Sequence, residues 1–147
     1  MSLLYADTSA LLRAYFADEP EHSEFRAMLL EGEEPVVTAE LARVEIASAV
    51  RAAARAGRLR RWRGLLARID ADCQEDGPIA LLRLRPEAVL PVAYRLVLER
   101  RLRTLDAVHL AVALEEGPAL AGAEELVLVT RDEDQAVAAE ALGLPVR

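Results

Sequence analysis

The chain has 147 residues, 53% of them hydrophobic, and a net charge of −7; this describes one domain, 1–147, able to bury its own core. All 18 basic residues are arginine, which excludes the P-loop, Schiff-base and phosphorylated-receiver chemistries that rely on a lysine. No membrane span is expected, because the longest run free of charge, Ala107 to Leu114, is far short of the roughly 20 residues needed.

The lone cysteine, Cys73, allows no internal disulfide, and no basic region precedes Asp7. A cytoplasmic protein without a secretory signal is the expectation.

Leu3 to Ala6 is an apolar run ending at Asp7, read as a buried strand. Thr8 to Phe16 has helical spacing, with Leu11, Leu12, Tyr15 and Phe16 on one side, until Asp18-Glu19-Pro20 breaks it. A second helix runs from Glu21 to Glu31, where Gly32 closes it, and Pro35 to Thr38 reads as the second strand. A long helix opens at Thr38 or Ala39 and stops at Gly57; Leu59 to Glu75 forms the next, and Gly77-Pro78 marks a turn. Ile79 to Leu84 is the third strand, and Pro86, well suited to a first helical position, starts a helix reaching Arg101. Thr104 is expected to cap the following helix, which ends near Gly117 and Pro118. Leu126 to Thr130 is the fourth strand, a helix follows to Leu142, and Leu144 to Val146 is a short last strand. Apolar strands alternating with helices predict an α/β fold with a parallel sheet of about five strands, flanked by helices on both faces.

Four acids scattered over this pattern draw attention: Asp7, Glu45, Asp106 and Asp132. In an open parallel sheet ligands bind beyond the carboxyl ends of the strands, where Asp7 and Asp132 are expected. Acids gathered at one sheet edge repel one another, and a divalent cation offsets that cost. Asp7 and Asp132 are also good helix N-caps, with Asp134 a competing choice for the second. Glu45 shares a helix face with the uncharged Leu41, Ser48, Ala49 and Ala52, so it needs either a ligand role or a rim position that reaches water. Asp106 stands in a first helical turn, where the helix dipole favours an anion without any metal. His109 reads as a hydrogen-bonded structural histidine rather than a ligand or general base. Thr8, Ser9 and Thr130 are placed to hydrogen-bond the carboxylates or a phosphate, and capping explains the first two equally well.

The acidic total conceals an asymmetry. Ile46 to Ile69 holds Arg51, Arg55, Arg58, Arg60, Arg61, Arg63 and Arg68 and no acid. That segment is either a solvated helical hairpin or a surface for RNA or an acidic protein partner.

Taken together, Asp7-Thr8-Ser9 after the first strand, Glu45 within a helix, the Leu-Arg-Thr-Leu-Asp-Ala-Val-His start containing Asp106, and Val-Thr-Arg-Asp ending at Asp132 resemble the PIN domain, specifically its VapC-like toxin ribonucleases. The resemblance covers essentially the whole chain. It implies that Asp7, Glu45, Asp106 and Asp132 are catalytic and hold one or two Mg²⁺ or Mn²⁺ ions, making the protein a metal-dependent endoribonuclease with RNA as substrate. It further implies a small antitoxin as partner and a homodimer. The alternative is a non-catalytic PIN-like module that binds RNA or protein. A phosphatase of the haloacid dehalogenase type is excluded, because Ser9 stands where its second aspartate belongs and its lysine is missing.

Overall fold

A computed structural model describes all 147 residues, Met1 to Arg147. Three strand-to-strand crossovers, each carrying two helices, build it. β1 (Ser2–Ala6) leads through α1 (Thr8–Tyr15) and α2 (His22–Leu29) to β2 (Val36–Ala39). α3 (Ala42–Arg55) and α4 (Trp62–Asp72) then lead to β3 (Ile79–Leu82), and α5 (Pro86–Arg100) and α6 (Thr104–Ala121) to β4 (Glu125–Val129); α7 (Glu133–Ala141) closes the chain. All pairings are parallel and the order is β3-β2-β1-β4.

Alternation along the strands separates two cores. Leu3 and Tyr5 of β1, with Val37 and Leu128, face α5, α6 and α7. Leu4 and Ala6, with Val36, Val127 and Val129, face α1 to α4. Strands buried on both faces need continuous apolar sequence, which is what β1, β2 and β4 supply. The chain moves outward from β1 to β2 and β3, then returns to β1's other side as β4, so the strand order reverses between β1 and β4. The carboxyl ends flanking that crevice carry Asp7 and, after β4, Asp132. This is where the open-sheet rule puts a ligand.

Several boundaries differ from the expectation. The sheet has four strands, and the expected fifth, Leu144 to Val146, is reduced to one bridge between Val146 and Leu128 on the outer edge of β4. α3 begins at Ala42 rather than Thr38 or Ala39, because those two residues remain in register with Leu81 and Leu82 of β3. α4 begins at Trp62, the residues between Gly57 and it following no regular structure. Thr104 is the first residue of α6 and makes no side-chain cap; Arg103 holds the capping position. α6 runs through Gly117 and Pro118 to Ala121. Any side chain at position 117 would overlap Leu126 of β4, so glycine here permits close helix–sheet approach instead of ending the helix.

Candidate active site

Asp7 follows β1 directly and caps α1, its Oδ1 accepting the Ala10 N–H at 3.0 Å. The Ser9 hydroxyl donates to the same oxygen at 2.7 Å, and the Thr130 hydroxyl donates to Oδ2 at 3.0 Å. The residue is only 2% exposed. Burial pushes its carboxyl above the usual range, opposed by Ser9, Ala10, the nearby His109 and Thr130. Three donors therefore hold a charge that the surroundings disfavour.

Thr130, the first residue beyond β4, joins two acids, since its hydroxyl oxygen also accepts the Asp132 N–H at 3.1 Å. Asp132 caps α7 through Oδ1, which accepts the Gln135 N–H at 2.8 Å. Its other oxygen lies 3.5 Å from the Arg103 guanidinium, which also reaches Asp106 Oδ2 at 3.3 Å. Asp106 and Asp132 thus share one cation. Burial, and next the charge of Asp132, push the Asp106 carboxyl up, while Arg103 works against both. The Gln135 side-chain amide donates to the Asp106 carbonyl at 3.0 Å and ties α7 to the first turn of α6. Asp134 is exposed in the first turn of α7.

Glu45 lies in the first turn of α3, since that helix starts late. Its Oε1 accepts two hydrogen bonds, one with His109 Nε2 at 2.6 Å and one from the Thr8 hydroxyl at 2.9 Å. The uncharged face read from the sequence, Leu41, Ser48, Ala49 and Ala52, lines an apolar groove that also takes in Thr8, Leu12, Glu45 and Leu105. Glu45 and Asp106 look into one further cavity, together with Arg103, Thr104 and Leu105. The four acids are thus linked in pairs: Asp7 with Asp132 through Thr130, Asp132 with Asp106 through Arg103, and Asp106 with Glu45 through this cavity. No group of three His, Cys, Asp or Glu side chains is arranged to grip a metal ion as it stands.

Two parts of this arrangement were not expected from sequence. Arg103 carries no signal until α6 and α7 are placed side by side. His109 is buried and hydrogen-bonded as expected, but its link to Glu45 was invisible; the available hint was Tyr5, a hydroxyl in a buried strand that must find a partner.

Residues 4–141 match the PIN domain family. The chain belongs to the PIN domain family. The fold is similar to that of Mycobacterium tuberculosis VapC20, a sarcin–ricin loop cleaving toxin, at 17% identity and a TM-score of 0.66 over 92% of this chain and 94% of that one. No curated protein matches the chain in sequence.

The donors fit the hard divalent cations that PIN nucleases use. The four acids offer oxygen only, the preference of Mg²⁺ and Mn²⁺. Glu45 spends one oxygen on His109 and Thr8 and leaves the other without a partner, while Asp132 spends one on its helix cap and turns the other toward the exposed Arg103, which a cation would have to displace.

Proposed function

We propose that this PIN domain is a metal-dependent endoribonuclease, the toxin of a toxin–antitoxin pair, and that Asp7, Glu45, Asp106 and Asp132 hold one or two Mg²⁺ or Mn²⁺ ions. The observation that supports the reading is a linked set of four acids: Asp7 and Asp132 meet at Thr130, Asp132 and Asp106 face Arg103, Asp106 and Glu45 line one cavity, and burial raises two of the carboxyls. A bound divalent ion supplies a more acidic water and charge stabilisation at phosphorus. The chain's own contribution is orientation. Ser9, Ala10 and Thr130 fix Asp7, the α7 N-terminus fixes Asp132, and Thr8 with His109 fixes Glu45. Arg103, 84% exposed, faces both Asp106 and Asp132 in the free protein, offsetting part of their charge, and is long enough to turn toward a phosphate when they take a cation. Attack by water, not by the ribose 2′ hydroxyl, leaves a 5′ phosphate and a 3′ hydroxyl.

The arginine-rich hairpin supports an RNA or antitoxin surface with fewer free charges than the sequence suggested. Arg58 is engaged by Asp18 and Glu19, and Arg68 by Asp72. Arg51 and Arg63 stack against Trp62 at 4.0 and 4.2 Å. Arg55, Arg60 and Arg61 pair with no acid and remain available to phosphates. On α5, Leu90, Tyr94, Val97 and Leu98 form one exposed apolar stripe, which supports a homodimer. No helix is long and apolar enough to cross a membrane, which is compatible with work in the cytoplasm.

One observation favours a non-catalytic binding module: Arg103 already spans Asp106 and Asp132, and no three ligands grip a cation unaided. Incubating mixed RNA with the protein, with chelator or with Mn²⁺, separates the readings. Cleavage that requires Mn²⁺ and is lost in Asp106→Asn supports the nuclease; intact RNA under every condition supports the module.

A further inference from the structure

A chain of hydrogen bonds crosses the core behind Glu45 and fixes which proton sits where. The Ala39 N–H of β2 donates to the Tyr5 hydroxyl oxygen at 3.2 Å. Burial pushes the Tyr5 phenol far above its ordinary value, so it keeps its proton and must place it. His109 Nδ1 lies 2.8 Å from the phenol oxygen, well within hydrogen-bond range, whereas the Thr38 hydroxyl, near enough to ease the phenol's shift, does not come within hydrogen-bond geometry of any partner. A phenol that donates to Nδ1 leaves the imidazole proton on Nε2. That nitrogen lies 2.6 Å from Glu45 Oε1 and 3.1 Å from the Thr8 hydroxyl oxygen; with the Thr8 proton donated to Glu45 Oε1 at 2.9 Å, the Nε2–H can point to both oxygens, the carboxylate being the nearer. Nothing in the protein donates to Glu45 Oε2.

We infer that Tyr5 and His109 are positioning residues: through the Nε2–H tautomer that Tyr5 imposes, His109 pins Glu45 Oε1 to the core and turns Oε2 toward the cavity it shares with Asp106. The ring is 1% exposed and Tyr5 is fully buried, so water cannot replace either member. Each link comes from a different element: β2, β1, α6 and α3. Glu45 alone on a helix face would sample several rotamers; with Oε1 held by two donors it keeps one. A metal-binding carboxylate that is oriented in this way binds more tightly, and loss of such an outer partner typically costs about 10- to 100-fold in affinity. The inference deepens the metal-site reading and rests on it only for that last step.

The test has two readouts on the full chain. The ¹⁵N shifts of the His109 ring, measured without metal, should show a protonated Nε2 and a bare Nδ1, and Tyr5→Phe should shift the ring toward a mixture of tautomers. A protonated Nδ1 in the wild type, or a ring unaffected by Tyr5→Phe, overturns the proposed chain. Calorimetric titration with Mn²⁺ alone should then show about 10- to 100-fold weaker binding in His109→Leu, a smaller loss in Tyr5→Phe, and partial recovery in His109→Gln, whose amide restores a donor to Glu45. Unchanged Mn²⁺ affinity in Tyr5→Phe and His109→Leu overturns the positioning role. Should the wild type bind no Mn²⁺, the metal-site reading fails and the positioning step with it, while the ring shifts still decide whether Glu45 is pinned.

Discussion

Replacing Asp7 with asparagine sets stability against activity. The carboxylate is 2% exposed and is held by Ser9, Ala10 and Thr130. Burying a charge costs several kcal/mol in a real protein, and hydrogen bonds to a charged group return about 1.5 to 3 kcal/mol each. Here the raised carboxyl shows that burial outweighs the donors. The sign follows: a carboxyl whose pKa is higher in the folded state is a penalty that is absent below the unfolded value and complete above the folded one. At neutral pH, without metal, Asp7 therefore works against folding. Asparagine keeps the amide oxygen for Ala10 and Ser9, and the Thr130 hydroxyl can rotate to accept from the new amide. We expect Asp7→Asn to be more stable than the wild type in chelator, each 1 kcal/mol gained raising Tm by roughly 2 to 4 °C for a chain of this size. It should also lose most of the stabilisation that Mn²⁺ gives the wild type, and all metal-dependent RNA cleavage. Thermal melting of both proteins in chelator and in excess Mn²⁺, beside a cleavage assay, checks this. A variant that melts lower in chelator yet still cuts RNA refutes the reasoning and leaves Asp7 as a structural cap.

Asp132→Asn should abolish cleavage and Asp134→Asn should leave most of it, since only Asp132 faces the cation shared with Asp106; the reverse order in one assay would move the assignment to Asp134. Carboxyl ¹³C titration of Asp106 should show a midpoint lowered by Asp132→Asn and raised by Arg103→Gln, because Asp132 disfavours its charge and Arg103 favours it; no movement in either would mean these groups do not interact in solution. Replacing Arg55, Arg60 and Arg61 together by glutamine should flatten the salt dependence of single-stranded RNA binding by about 2 in log–log slope, at about 0.7 per phosphate contact. The triple variant binding with the wild-type slope would reduce the hairpin to a solvated one.

Strand positions were legible because parallel strands buried on both faces must be continuously apolar, as Leu3 to Ala6 and Leu126 to Val129 are. The acids at their ends were legible for the same reason: a charge that interrupts such a run marks the sheet edge. Helix starts were less so. Thr38 and Ala39 suit a helix as well as a strand, and only pairing with β3 decides for the strand. Gly117 and Pro118 look like a helix end, yet the small residue is there to meet Leu126. Within the site, contacts across long separations stayed hidden. Tyr5 meets His109, and Arg103 joins Asp106 to Asp132, only once the order β3-β2-β1-β4 sets α6 beside β1 and α7. The arginine count overstated the free charge of the hairpin because Asp18 and Glu19, distant in sequence, reach Arg58 in space, and Asp72, one helical turn on, pairs with Arg68 just past the acid-free segment.

In the proposed site, Asp7, Glu45, Asp106 and Asp132 bind a divalent cation and cut RNA with it. The direct measurement is RNA cleavage against Mn²⁺ concentration, with end-group analysis of the products, run beside Mn²⁺ calorimetry on wild type and Asp106→Asn. Cleavage should saturate with the same Mn²⁺ dependence as binding, the products should carry 5′ phosphate and 3′ hydroxyl ends, and the variant should lose both binding and cleavage. Cleavage that persists in chelator, or Mn²⁺ binding equal in wild type and Asp106→Asn, would contradict the proposed site.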